Sequence, residues 1–363
     1  MYFDEFHELN DPLTLSRLAD LDNKLEKYRS VISFISCFRA FRIRLEKKLD
    51  MLNPDAIITV TDMGGYINRM CNIWAWKNNV PFIIIQPSFL EGAPHNIKTK
   101  LKNQLCYLLF NKLLNIPVFQ RQHFFGNERP ENYLFLWGDT FKKCYKGLKI
   151  EKNIFITGNP AFDPIIKGES IEKRDADIGI DIPNDKPIVI ICTQILDGLI
   201  EEKALREIED LYRTVIKENP DLYFVVKIHP RQDLDKYSKN FDDIPKSNFT
   251  IVKNIDLYRL FKVADVQVSV SSYSSFEAVV FGIPIVLIKK DLITFFDHFN
   301  DEIELRADTA EVLGVHLRRC LTEEYIDEFK VKREKYLKSR LGYIDGKSGE
   351  RVVEEIEEII KRG

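Results

Sequence analysis

Three short stretches between residues 222 and 288 carry side chains that could handle phosphate. Lys227-Ile-His-Pro-Arg231 closes one apolar run, Ser271-Ser-Tyr-Ser-Ser275 closes another, and Glu277-Ala-Val-Val-Phe-Gly-Ile-Pro284 follows directly. An imidazole and a guanidinium at a strand end suit a phosphate or a departing nucleotide. The serines follow a predicted strand and open a predicted helix, whose first turn presents free N–H groups and partial positive charge. Small hydroxyl residues there leave room for a phosphate and donate to it. Helix capping alone would favour one serine, worth about 1 kcal/mol, but not four. Glu277 is read on the first turn of that helix, where one carboxylate could accept from both hydroxyls of a ribose or simply complement the helix dipole. Lys227, His229, Arg231, Ser271, Ser272, Ser274, Ser275 and Glu277 are therefore the expected ligand-binding set.

A second group lies upstream. Asp62 follows the β-branched run Ala56-Ile-Ile-Thr-Val-Thr61 and precedes Gly64 and Gly65, which would allow close backbone approach to a ligand. Glu91 follows another apolar run, Pro81-Phe-Ile-Ile-Ile85. Either carboxylate could serve as a general base, within about 3 Å of an acceptor hydroxyl. Asp62 could equally form an Asx turn at the start of a glycine loop. Asn159, in Gly158-Asn-Pro160, and Thr193, after the run beginning at Pro187, are placed at the same cleft.

These residues need elements to hold them. Strand, turn, helix, strand is the pattern of a parallel α/β unit, and it occurs twice. In the first half, helical spacing covers residues 12–50, 66–77 and 98–116, and strands are expected at 56–61, 81–85, 133–137 and 153–157. In the second, strands are expected at 187–191, 222–228, 249–252, 266–270 and 283–288. Helices fall near 199–218, 256–263, 274–281, 308–320, 323–338 and 347–361. Apolar strands of this kind suit a sheet covered on both faces. The polar stretch 168–186 reads as a linker between a first domain, 1–167, with a helical N-terminal extension, and a second domain, 187–345. The segment 346–363 reads as a helix returning to the first domain.

Composition narrows the function. The 363 residues are 45% hydrophobic and 30% charged, with a formal net charge of −3. This is a globular balance without the basic footprint of nucleic-acid binding. The six cysteines are scattered, with no two within thirty residues, which excludes close metal or redox pairs and fits a reducing cytoplasm. No His, Cys or Asp cluster has metal-ligand spacing, so neither a metal nor another cofactor is expected. The N-terminus lacks an apolar signal region, and no run approaches the about 20 apolar residues of a membrane span. From Gly92 to Asn127 there is no Asp or Glu, while Lys98, Lys100, Lys102, Lys112 and Arg121 alternate with leucines and aromatics. Segment 98–121 could therefore lie on the inner face of an anionic membrane or near a lipid-linked acceptor. Its apolar residues nearly encircle the helix, so packing against the sheet is the simpler expectation.

His-Pro at a strand end, a serine-rich turn beginning at Ser271 and Glu-Ala-x-x-x-Gly-x-Pro together resemble GT-B enzymes of surface-polysaccharide synthesis. That group includes bacterial sialyltransferases, capsule Kdo transferases and CDP-glycerol glycerophosphotransferases. The resemblance spans roughly residues 55–290 and is most specific in the second half. It implies two Rossmann-like parallel-sheet domains facing a cleft and metal-free transfer of a sugar or sugar acid. The donor would be nucleotide-activated, CMP or CDP before UDP, and the acceptor a glycan or lipid-linked chain. It also implies that His229, Ser272, Ser274 and Ser275 contact the donor phosphate and nucleotide, and it places His229 among the catalytic residues. The sialyltransferases carry two acids before a glycine, where this chain has only Leu90-Glu91-Gly92. Gly158-Asn-Pro160 with Asp163 is similar to a turn shared with the UDP-GlcNAc 2-epimerases, which makes an isomerase the alternative. Those enzymes show Asp-Ser-Gly-Gly where this chain has Ser-Tyr-Ser-Ser. A non-catalytic nucleotide-sugar-binding protein is the third reading.

Overall fold

The computed structural model describes residues 31–62, 66–87, 105, 107–113, 126, 129–168, 179–196, 200–270, 272–288 and 303–362. The first elements in chain order are α1 (Val31–Leu52), β1 (Ile57–Thr59), α2 (Tyr66–Lys77), β2 (Phe82–Ile85), β3 (Tyr133–Leu136) and β4 (Ile154–Ile156). Next come β5 (Ile188–Cys192), α3 (Glu202–Glu218), β6 (Tyr223–Lys227), α4 (Leu234–Ser238), β7 (Phe249–Val252), α5 (Leu257–Phe261), β8 (Val266–Ser269), α6 (Tyr273–Phe281) and β9 (Ile285–Ile288). The chain ends with β10 (Glu304–Ala307), α7 (Ala310–Cys320), α8 (Glu323–Leu341) and α9 (Ser348–Arg362). It divides into two compact units, one of residues 1–159 with 348–363 and the other of residues 160–347.

The first unit is built on a four-stranded sheet in the order β1-β2-β3-β4, every neighbouring pair parallel. Its central strands are aliphatic and aromatic, and Ile83, Ile84, Leu134, Phe135 and Leu136 are fully buried. Trp74 Nε1 donates to Asp50 Oδ1 at 2.7 Å, tying α2 to α1. One face of the sheet is covered by α9. Val352, Ile356 and Ile359 recur every three or four residues, so they form one stripe, and that stripe packs on Ile83 and Phe135.

The second unit carries a six-stranded, wholly parallel sheet in the order β10-β9-β8-β5-β6-β7. Strands β5, β6 and β7 run outward one way, and the chain then crosses to build β8, β9 and β10 on the other side. The order reverses between β5 and β8, the place where ligands bind in open α/β sheets. All five residues of β5 are buried, as an apolar central strand requires. Strand β10 was not expected, because Glu-Leu-Arg-Ala contains no β-branched residue. It pairs in register with β9, and Arg306 Nη2 lies 2.6 Å from Glu304 Oε1. Both halves are thus parallel α/β sheets, as the alternating pattern implies.

Candidate functional site

Strands β6, β5 and β8 are neighbours, and because they are parallel their carboxyl ends meet at one edge. With a spacing of about 4.8 Å per strand, groups after β6 and β8 lie about 10 Å apart across the end of β5. His229 follows β6, Thr193 follows β5, and Ser272 follows β8.

The turn after β6 is tightly specified. His229 N donates to Gln232 Oε1 at 2.9 Å and to Thr193 Oγ1 at 3.2 Å, and Gln232 N returns to His229 O at 2.9 Å. Thr193 N in turn donates to Lys227 O at 3.0 Å, and Thr193 Oγ1 to Gln232 Oε1 at 2.5 Å. Arg231 N donates to His229 Nδ1 at 3.2 Å. An imidazole that accepts at Nδ1 carries its proton on Nε2 when neutral. Burial, then the charges of Arg231 and Lys227, hold its pKa below the ordinary 6.5, so the neutral ring is the resting form. Its Nε2–H is the donor left for a ligand. Arg231 is exposed beside it.

Lys227 is placed differently from the sequence expectation. Its ammonium donates to Lys253 O at 2.5 Å and Ile228 O at 3.5 Å, joining the ends of β6 and β7. Burial lowers its pKa first of all.

The serine turn separates into outer and inner hydroxyls. Period-two alternation puts Gln267 and Ser269 on one face of β8, under α6. Ser275, fully buried, donates to Gln267 Oε1 at 2.9 Å and lies 2.7 Å from Ser269 Oγ. Gln267 Nε2 donates to Ser274 Oγ at 3.5 Å, and Ser274 Oγ donates to Ser272 Oγ at 2.7 Å. Ser272 also accepts from Ser274 N at 3.2 Å, which makes it the N-cap of α6. The chain of donors ends at Ser272, which is half-buried at the amino end of α6. At the other end of α6, Gly282 has φ +82, and Arg333 Nε donates to Val279 O at 2.6 Å. The helix carbonyls are thus capped by a cation while the amino end is left for an anion. Ser271 lies outside the described residues.

Helix α6 begins at Tyr273, so Glu277 sits in the second turn rather than the first as expected. Tyr258 Oη donates to its Oε1 at 2.9 Å. Burial is the main reason its pKa is raised, and Asp256 adds to the effect. Sequence reasoning missed Gln232, Gln267, Ser269 and Tyr258. The readable signal was polar residues two apart within the apolar strand Val266-Gln-Val-Ser-Val270.

In the first unit Asp62 is 1% exposed and accepts from Gly126 N at 2.8 Å. It adds to the effect of burial in raising the Tyr145 phenol. Asn159 is buried after β4, beside Gly158 with φ +82. Glu91, Gly64 and Gly65 lie outside the described residues, as does most of 98–121. Tyr107–Leu113 forms a π-helix, and Leu105, Leu108 and Leu109 are 70%, 58% and 45% exposed, so the burial expected there is not found at these leucines. Among the described residues, no three His, Cys, Asp or Glu side chains are placed to hold a metal, and no helix is long and apolar enough to cross a membrane. A cavity of about 200 Å³ at the opposite, amino end of β8 and β9 is mostly apolar and is lined by none of the candidate ligand-binding residues.

No family model and no curated protein matches the sequence. Solved structures do match. The S. aureus MnaA–UDP structure is 15% identical with a TM-score of 0.59, covering 92% of this chain and 83% of that one. The UDP-GlcNAc 2-epimerase of Neisseria meningitidis bound to UDP-GlcNAc is 14% identical at 0.53, covering 92% and 83%. A glycosyltransferase from Rickettsia africae is 10% identical at 0.54, covering 93% and 84%. The likeness, with the two parallel sheets, shows that this chain has the two-domain α/β fold common to GT-B glycosyltransferases and UDP-GlcNAc 2-epimerases.

Proposed function

We propose that the chain is a GT-B glycosyltransferase that moves a glycosyl or related group from a nucleotide-activated donor to a glycan or lipid-linked acceptor of a surface polysaccharide. The carrying observation is the pair of polar groups at neighbouring strand ends, His229, whose Nδ1 is taken by Arg231 N, after β6 and Ser272 at the amino end of α6. A departing phosphate gains negative charge, and preorganised neutral donors with a helix N-terminus stabilise that charge without a metal. Arg231 adds a positive field at the entrance. Glu277 keeps one carboxylate oxygen on Tyr258 and offers the other to a ribose hydroxyl. The acceptor proton goes to a carboxylate, for which Glu91 and Asp62 are the candidates. The exposed leucines at 105, 108 and 109, within a segment rich in lysine and free of acids, favour a lipid-linked acceptor and a place at the cytoplasmic face of the membrane.

Thermal stabilisation of the purified chain by CMP, CDP, UDP and GDP tests this. A nucleotide at 100 times its dissociation constant should stabilise the protein by about 2.7 kcal/mol. The expected result is a shift with a cytidine or uridine nucleotide that disappears in His229→Ala. No shift with any of the four would remove the donor site. The fold shared with the N. meningitidis epimerase, which binds UDP-GlcNAc, favours a second reading as a UDP-sugar epimerase. Inversion of UDP-GlcNAc at C2 with no acceptor present would establish that reading over transfer.

A further inference from the structure

Helices α5 and α6 touch through a small polar and aromatic cluster. Helix α5 is capped by Asp256, whose Oδ1 accepts from Arg259 N at 3.0 Å, and carries Tyr258 in its first turn. Helix α6 carries Glu277 and Phe281 four residues apart, hence on one face. Tyr258 docks on that face at two points. Its hydroxyl donates to Glu277 Oε1 at 2.9 Å, and its ring packs on Phe281 with centroids 5.1 Å apart. Phe281 also packs on Phe261, one turn along α5 from Tyr258, at 5.3 Å. A phenol whose ring is packed in this way has little freedom to swing, so it holds the carboxylate it bonds.

The pair acts on the carboxyl edge of the sheet. The Glu277 charge adds to the burial that raises the Cys192 thiol at the end of β5, and the Asp256 charge opposes the burial that lowers Lys227 at the end of β6. Glu277 is half-buried, and Tyr258 takes one of its two oxygens. A ribose presents two adjacent hydroxyls, and an ionised carboxylate accepts from hydroxyls more strongly than a neutral acid does. We infer that Tyr258 is a positioning residue for ribose: by holding Glu277 Oε1 it fixes the carboxylate as an acceptor for the sugar hydroxyls, so that the site selects ribonucleotides over their 2′-deoxy counterparts. The inference rests on the donor-site reading of the second unit and deepens it.

A proton distinguishes this role from simple packing. Burial raises the Glu277 pKa first of all, the Tyr258 bond opposes the rise, and Asp256 adds to it. Removing the phenol hydroxyl therefore lifts it further, and the carboxylate is lost as an acceptor at a higher pH. Among the described residues, the titratable groups that act on or respond to Glu277 are Tyr258 and Asp256 on α5 and Cys192 on β5, and burial keeps Tyr258 and Cys192 neutral.

Full-length wild type, Tyr258→Phe and Glu277→Gln would be titrated with UDP, CDP, 2′-deoxy-UDP and 2′-deoxy-CDP across the acid and neutral range. The ratio of ribo to deoxy affinity removes the contributions of the phosphates and of His229, which meet both ligands alike. The expected wild-type ratio is about tenfold, the weight of a hydrogen bond to a charged group, and it falls on acidification as Glu277 takes a proton. Tyr258→Phe keeps the ring on Phe281. It should reduce the ratio severalfold, move its fall to higher pH and leave the deoxynucleotides bound as before. Glu277→Gln should remove the pH dependence of the ratio. Three results would overturn the inference while the nucleotide site stands: equal binding of ribo- and deoxynucleotides by wild type, an unchanged ratio and pH midpoint in Tyr258→Phe, or equal weakening of both ligand types in that variant. If no nucleotide binds, the donor-site reading falls first and takes the inference with it.

Discussion

The imidazole at the end of β6 ties stability to pH. In the folded chain burial and two cations hold His229 below its ordinary pKa, whereas the unfolded chain takes up the proton near 6.5. His316 is lowered too, chiefly by burial. Stability from these rings is complete above pH 6.5 and is lost as the solution is acidified through the window below it. The melting temperature should therefore fall on acidification below pH 6.5, and His229→Gln should flatten part of that slope. The serines offer a sharper contrast. Ser275→Ala strands Gln267 Oε1 in the core and should cost about 1–3 kcal/mol in denaturant unfolding while leaving nucleotide affinity intact. Ser272→Ala removes a cap, about 1 kcal/mol, and should also weaken the nucleotide-induced thermal shift. Asp62→Asn keeps an acceptor for Gly126 N–H, so it should fold as wild type. Transfer activity surviving in it would leave Glu91 as the base. These roles were only partly legible in the sequence. The positions of His229 and Ser272 at strand ends followed from local pattern, because an apolar run and the turn after it are adjacent in the chain. That Ser275 faces inward while Ser272 faces outward depends on Gln267, a partner on the next element, and nothing local announces it.

Elements carry the next layer of constraint. Gly126 has φ +77, and a Cβ there would lie 2.9 Å from Leu134 Cδ2. Gly126→Ala should destabilise the first unit by about 1–3 kcal/mol in denaturant melts, through backbone strain and the clash together. The strands β2, β3, β5, β6 and β9 were readable because burial on both faces demands near-continuous apolar runs, chiefly Ile, Val, Leu and Phe. Strand β10 was not, since four mixed residues acquire strand geometry only from pairing with β9. Glu277 was read in the first turn because four serines leave the first helical residue ambiguous by one, and the Ser272 cap, which starts the helix at Tyr273, makes it the fifth. The environment of Lys227 was also unreadable: its partner, Lys253 O, comes from the end of a different strand.

At the scale of the whole molecule, the second unit is a continuous piece of chain while the first is completed by residues from beyond it. Deleting 348–363 uncovers Ile83 and Phe135, and losing the burial of Val352 and Ile359 should destabilise the first unit by about 3–6 kcal/mol. Calorimetry of the truncated chain should show one transition moved down and the other in place. The same arrangement matters during synthesis. A ribosome delivers β1 to β4 early, but the helix that covers them leaves the exit tunnel only after β5 to β10 have been made. Until then the early sheet carries bare aromatic and aliphatic surface, so it is the half that should recruit a chaperone and the half most exposed to aggregation when translation stalls before Ser348.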